Sequence, residues 1–169
     1  MQSAIQALAH LLAPWQSLYS NSKVVSDAVT YTHLAGLLFG GGFAVAADRA
    51  ALRLSRGAPE NRRQLLNDLA AVHRPVLFGL AVMVVSGLLL FTSDVETFAL
   101  SPVFWSKATL VALLMGNGYR LMRTEQALRT GDHADPGDRL WRRLRRTAIT
   151  SMALWAAVVL AGTVLNSVS

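Results

Sequence analysis

The sequence has no cysteine and few charged residues. Without cysteine, the chain can form no disulfide, no thiolate metal site and no cysteine nucleophile. Charged residues make up 15% of the 169 residues, whereas a soluble domain carries roughly 25%. Hydrophobic residues make up 53%. The length suits a single domain, and the composition argues against a soluble globular one.

Common catalytic motifs are also missing from the sequence. It contains no HExxH, no GxSxG, no GxxxxGK[ST] and no GxGxxG after a strand. No pair of acidic residues lies inside a hydrophobic run, so a proton or cation relay would lack carriers. We therefore expect no enzyme, and a small transporter is the least favoured function.

Four long apolar runs occupy much of the chain, at residues 28–47, 75–93, 103–119 and 147–168. A helix needs about 20 apolar residues to cross a hydrocarbon core of roughly 30 Å. Short connections make neighbouring helices antiparallel. The predicted fold class is therefore all-α, an integral membrane up-and-down four-helix bundle. It forms a single membrane domain over residues 1–169.

Residues 3–19, before the first run, have an amphipathic pattern. Ile5, Leu8, Leu12 and Trp15 recur at the spacing of one helical face. This pattern predicts an N-terminal interfacial helix in the outer membrane surface, with its aromatic residues at headgroup depth. A cleaved signal peptide is the alternative, but the segment lacks a basic first region. We expect the segment to be retained.

The arginines predict how the chain is oriented. All fourteen lie in two segments, one between the first and second runs and one between the third and fourth. The other side carries only two basic residues, Lys23 and Lys107. By the positive-inside rule, both arginine-rich segments are cytoplasmic and both termini are outside. Topology and anionic lipid then account for the net charge of +6, and no nucleic-acid partner is expected.

Small residues in the apolar runs predict close helix packing, on which membrane helices depend. The candidates are Gly36 and Gly40 at GxxxG spacing, Gly87, and Gly116 beside Asn117. The amide of Asn117 is expected to bind a neighbouring helix. Packing within one bundle is the favoured interpretation, and a homo-oligomer interface is the alternative.

Two ionisable residues inside the runs are candidates for a site, because such residues are costly in a membrane. His33 and Lys107 both lie about 6–7 Å below the outer edge. Facing the bundle axis, with Tyr31 and Asn166 nearby, they would line a ligand pocket open to the outer side. Alternatively, Lys107 extends its ammonium to the headgroups and His33 donates to a backbone carbonyl.

A haem or copper site is a further alternative. His33 and His73 lie at opposite membrane surfaces, so they cannot clamp one haem. A b-type haem or copper ion on His33 would need Met83, Met115 or Lys107 as a second ligand, or would lack one. No paired-ligand motif supports either cofactor.

Several segments resemble an uncharacterised family of small bacterial four-helix inner-membrane proteins, distantly similar to the membrane domain of copper-resistance protein D. The segments are WQSLY at 15–19, HLAGL at 33–37, VSGLLLFTSD at 85–94 and PVFWSK at 102–107. The resemblance implies that His33 and Lys107 match the family's recurrent histidine and lysine. The copper-resistance comparison would imply metal handling from the periplasmic side, although this chain lacks additional histidines and methionines for that role.

The expected function is a small, non-enzymatic binding or accessory component of an inner-membrane assembly. Its partners would be the lipid bilayer and either other membrane subunits or further copies of the chain. The alternative function is a redox or metal-handling protein that holds haem or copper through His33.

Overall fold

The structure, a computed structural model, describes residues 2–54, 59–130 and 138–168. Within these ranges the chain forms helices and no strand. The helices are α1 (Gln2–Asn21), α2 (Lys23–Leu54), α3 (Pro59–Ser93), α4 (Val95–Leu100), α5 (Pro102–Thr130) and α6 (Asp138–Val168). The predicted all-α class is confirmed.

Three of the described helices are long and apolar enough to cross a membrane. The apolar stretches are Lys23–Arg53 in α2, Ala71–Ser93 in α3 and Arg139–Val164 in α6. These helices give the protein the character of a membrane protein. Helix α5 is not among them, because Lys107 and Asn117 make it less apolar than the others. A fourth span at 103–119 stays a prediction.

The four long helices continue beyond the apolar runs that predicted them, mainly at their arginine-rich ends. Helix α3 begins at Pro59, and α5 continues to Thr130. The residues between these ends and the apolar runs are also helical.

At the end away from the arginines, single polar residues separate consecutive helices along the chain. Ser22 is the break between α1 and α2. Asp94 caps α4 by accepting a hydrogen bond from the Thr97 N–H at 3.1 Å. Ser101 then separates α4 from α5, whose first residue is Pro102. Asp and Ser are favoured before a helix, and proline suits a first helical position.

Glycines bring the backbones of α2 and α3 into contact. A Cβ atom added to Gly79 would lie 2.6 Å from the Gly40 Cα atom, and one added to Gly36 would lie 2.9 Å from the Met83 nitrogen. Only hydrogen fits in these places. Gly116 behaves differently from the prediction, because a Cβ atom there would meet nothing within 4 Å. It lies on an exposed face of α5, where no helix approaches closely.

Helix α6 joins the α2–α3 pair to α5. The Asn117 Nδ2 atom in α5 donates to the Thr147 carbonyl of α6 at 2.9 Å. The Trp155 ring of α6 covers Gly41 of α2, 3.1 Å from the position of an added Cβ atom. All four long helices therefore belong to one packed group.

An apolar cluster unites the arginine-rich ends of these four helices. Leu144, in α6, is fully buried at its centre, with Ala51 from α2 and Leu69 from α3. Leu121 and Leu128 from α5 pack against it. The arginine-rich ends consequently lie together at one end of the group, which leaves the start of α5 at the other.

Candidate functional site

The His33 ring of α2 packs against α3 at the end of the molecule away from the arginines. Its Nδ1 atom lies 3.0 Å from the Met83 carbonyl oxygen and 3.1 Å from the Ser86 hydroxyl. The ring fits here because Gly87 has no side chain, and a Cβ atom added to Gly87 would lie 3.2 Å from the ring. Backbone and small side-chain groups within little more than one turn of α3 thus position the imidazole.

These hydrogen bonds determine which ring nitrogen carries the proton. A carbonyl oxygen can only accept, so the proton of a neutral His33 is on Nδ1 and is donated to Met83. The Ser86 hydroxyl donates its own hydrogen to the Val82 carbonyl at 2.6 Å, so its oxygen can only accept from the ring, which agrees with a proton on Nδ1. The Nε2 atom of His33 is therefore left as an acceptor.

Lys107 of α5 supplies the donor for that acceptor. Its Nζ atom lies 3.4 Å from the His33 Nε2 atom. It also lies 3.7 Å from the position of a Cβ atom added to Gly162 of α6. Both side chains are partly buried. The structure thus brings together the two residues on which the predicted pocket depends, at a place where four helices meet.

The ammonium group of Lys107 is not neutralised by the described residues. None of their carboxylates forms an ion pair with it. A neutral His33 contributes no charge, so the pair carries a single positive charge. Two of the three N–H groups of Lys107 remain after one is directed at His33. These donors can bind an anionic or carbonyl oxygen.

Of the two other predicted pocket residues, Tyr31 does not join the pair. Tyr31 is 74% exposed, because residues two positions apart in a helix point to different faces. Asn166 lies in α6, and its side chain is outside the described part. The described contact between His33 and Lys107 therefore lies among α2, α3, α5 and the backbone of α6.

The alternative haem or copper ligands are placed elsewhere. The Met83 side chain packs in a buried cluster with Leu114 and Trp155, although its carbonyl oxygen contacts His33. Met115 is 48% exposed on α5. Within the described ranges, no three His, Asp or Glu side chains are grouped as metal ligands. The His33 nitrogen that would bind a metal faces Lys107 instead.

Sequence reasoning missed a buried carboxyl group in α2. Asp48 is 2% exposed, and its Oδ2 atom has no hydrogen-bond partner among the described residues. The side chain is hydrogen-bonded to Ser151 of α6. The prediction ended the first run at residue 47 and so placed Asp48 outside the bundle. Its spacing of seven residues from Gly41, on the face toward α6, was the available signal.

A second missed carboxyl group, Glu125 of α5, lies at the arginine-rich end. Its oxygens lie 3.3 Å from the His73 Nε2 atom and 3.2 Å from the Arg129 Nε atom. Burial raises the pKa of Glu125, while the charges of His73 and Arg129 oppose that rise. His73 Nδ1 donates to the Leu69 carbonyl at 2.7 Å, so the Glu125–His73 contact requires one further proton, on either partner. The spacing of Glu125 and Arg129, four residues apart, was the signal in the sequence.

No family model, curated protein or solved structure matches the chain. The family resemblance therefore stays a prediction from the sequence segments that carry it.

Proposed function

We propose that the protein is a non-enzymatic binding or accessory component of a bacterial inner-membrane assembly, with an outer-side polar pocket at His33 and Lys107. One observation carries the proposal: the 3.4 Å approach of Lys107 Nζ to His33 Nε2, with no carboxylate of the described residues paired to the lysine. A partly buried cation without a negatively charged partner is unfavourable unless it binds a ligand. The ligand group is an anionic or carbonyl oxygen, on a small molecule or on a partner subunit.

The proposed topology has four spans, with both termini outside. Its support is the clustering of the arginine-rich helix ends around Leu144, because the positive-inside rule assigns such ends to the cytoplasm. Helix α5 can cross as a fourth span because its polar residues face neighbours. Lys107 contacts His33, and Asn117 contacts the Thr147 carbonyl.

The proposed interfacial position of α1 is supported by its attachment to α3. The Trp15 indole donates to the Leu89 carbonyl, and the Gln16 amide donates to the Thr92 carbonyl, both at 3.3 Å. These carbonyls belong to the end of α3 that lies with the proposed pocket. Tryptophan is enriched at membrane surfaces, where its ring is apolar and its N–H group binds polar atoms.

The proposal is tested by comparing complexes that the wild type and two pocket variants retain in a mild detergent. Lys107→Met keeps the length of the side chain and removes its charge, and His33→Gln removes the imidazole. The exposed Lys23→Met is the matched control. Native mass spectrometry of the purified proteins reports bound small molecules and partner subunits together.

We expect both pocket variants to lose a bound molecule or partner that the wild type and Lys23→Met retain. Circular dichroism must show that all four proteins have the same helix content. An unchanged set of bound species in Lys107→Met and His33→Gln would contradict the proposal.

An absorption spectrum with metal analysis separates this proposal from the haem or copper alternative. A Soret band or stoichiometric copper that disappears in His33→Ala would make the protein a redox or metal-handling one. It would also support the resemblance to the copper-resistance membrane domain. A colourless, metal-free protein with a bound anion or partner is the result that the proposal requires.

A further inference from the structure

Two arginines on α2 form an exposed pair at the end of its membrane-spanning segment. Arg49 and Arg53 are four residues apart, so their Cβ atoms lie on one face, about 5–6 Å from each other. Both side chains are exposed, and neither forms a hydrogen bond or ion pair with any described residue. With Ala46 and Ala50 they line a surface groove of about 620 Å³.

The same face of α2 continues as an apolar surface away from the arginines. Phe39 and Phe43 are 47% and 40% exposed. Between them, Gly42 leaves open space, because a Cβ atom there would meet nothing within 4 Å. Positions 39, 42, 46, 50 and 53 follow the spacing of one helical face. The Phe39 ring contacts Phe78 of α3 at one edge of this face, with 6.5 Å between ring centroids, and Ala50 packs against the buried cluster at the arginine-rich end. Gly42, Phe43 and Ala46 between them are exposed.

The surface therefore changes from apolar to cationic along the direction of the helix. An anionic phospholipid has the complementary order, with acyl chains next to a negative phosphate. Guanidinium groups bind phosphate oxygens in a bidentate manner, and two guanidiniums one turn apart can share one phosphate. A soluble phosphate would use only the arginines and would leave the apolar half without a partner.

We infer that this face of α2 binds one anionic phospholipid, its phosphate held between Arg49 and Arg53 and an acyl chain lying along Phe39 and Gly42. The small side chains of Ala46 and Ala50 let the glycerol region approach the helix. The site is at the end of the molecule away from His33 and Lys107, and it does not depend on the function proposed for that pair. The generic attraction of arginine-rich segments for a membrane does not require such a site, because it needs no groove.

The experiment measures phosphatidylglycerol binding to the purified full-length protein by native mass spectrometry, with phosphatidylcholine as the neutral lipid. The first variant is Arg49→Gln/Arg53→Gln. Its matched control is Arg142→Gln/Arg146→Gln, an exposed pair with the same spacing on α6. Loss of the two guanidinium contacts to the lipid phosphate is expected to weaken the first phosphatidylglycerol adduct by about 30-fold. The control should stay within about threefold of the wild type.

Gly42→Leu tests the apolar half of the site without altering charge. Because space is open at Gly42, the variant is expected to fold and to lose phosphatidylglycerol binding while the arginines remain. Equal weakening in the two double variants would overturn the inference, since charge alone would then explain binding. Binding of glycerol phosphate as tight as that of phosphatidylglycerol, or no effect of Gly42→Leu, would also overturn it.

Discussion

A single methyl group at Gly79 should force α2 and α3 apart. The Cβ atom of Gly79→Ala would lie 2.6 Å from both the Cα and the nitrogen atom of Gly40, and 3.2 Å from the Gly36 carbonyl oxygen. Favourable carbon contacts lie at about 3.5–4.0 Å, so α2 must retreat by about 1 Å. Every atom that the methyl group meets is backbone, so no side-chain rotation can relieve the overlap.

The expected cost follows from two opposing effects. Overpacking of this kind costs about 1–3 kcal/mol, while replacing a helical glycine by alanine gains up to about 1 kcal/mol. We expect Gly79→Ala to lower the free energy of unfolding by about 1–2 kcal/mol. At Gly116, where an added Cβ atom meets nothing within 4 Å, only the gain applies. Gly116→Ala should therefore be as stable as the wild type or more stable.

The assay is reversible unfolding in mixed micelles with increasing dodecyl sulfate, followed by circular dichroism. The two variants share one chemical change, so the sign of their difference reports the α2–α3 contact alone. If Gly79→Ala were as stable as Gly116→Ala, the backbones of α2 and α3 would not touch at Gly79, and the reasoning would be refuted.

Three further variants are checked with the same unfolding assay. Because burial raises the pKa of Glu125 above its ordinary value of 4.5, its contribution to stability is present at low pH and is lost as pH rises through the raised pKa. The wild type should therefore lose stability relative to Glu125→Gln as the pH rises above 4.5, and the opposite slope would contradict this. Asn117→Leu removes the hydrogen bond to Thr147 and should cost about 1 kcal/mol, and no loss would mean that this bond is not formed. Asp48 has a buried carboxyl group whose Oδ2 atom has no hydrogen-bond partner among the described residues. Asp48→Asn removes the cost of burying a charge there and should stabilise the protein by about 1 kcal/mol at neutral pH, whereas destabilisation would reveal a partner for Oδ2.

The sequence was sufficient to predict the membrane-spanning character of α2, α3 and α6. Long apolar runs have few alternatives, because each must be buried in lipid or protein. It was also sufficient to place His33 and Lys107 at a common depth, since the rise per residue of a helix is constant. The contact between the two side chains also depends on how α2 and α5 are each rotated about their own axes. The position of a residue along its helix does not determine that rotation.

The rotation of each helix about its own axis also explains why the surroundings predicted for Gly116 and Tyr31 were wrong. Gly116 and Gly79 are both glycines in long helices, but a Cβ atom added to Gly116 would meet no atom of another described helix within 4 Å. Tyr31 lies close to His33 in sequence and on a different face of α2. A pattern of small residues indicates that a helix can pack closely against another one. The pattern does not determine which face of the helix makes the contact.

Buried charge was the other source of error. Asp48 directly follows the predicted end of the first apolar run, and its burial was not predicted because acidic residues are seldom fully buried. Glu125 was hidden for the same reason, although its partner Arg129 was visible four residues later. The cost of burying either group is offset by neighbours on other helices, which only the tertiary structure brings near.

The attachment of α1 has a consequence for the order in which the protein assembles. Trp15 and Gln16 bind carbonyl groups of Leu89 and Thr92, more than 70 residues later in the chain. During synthesis α1 leaves the ribosome long before its docking surface exists. The docking of α1 on α3 can therefore form only after α2 and α3 have both been synthesised.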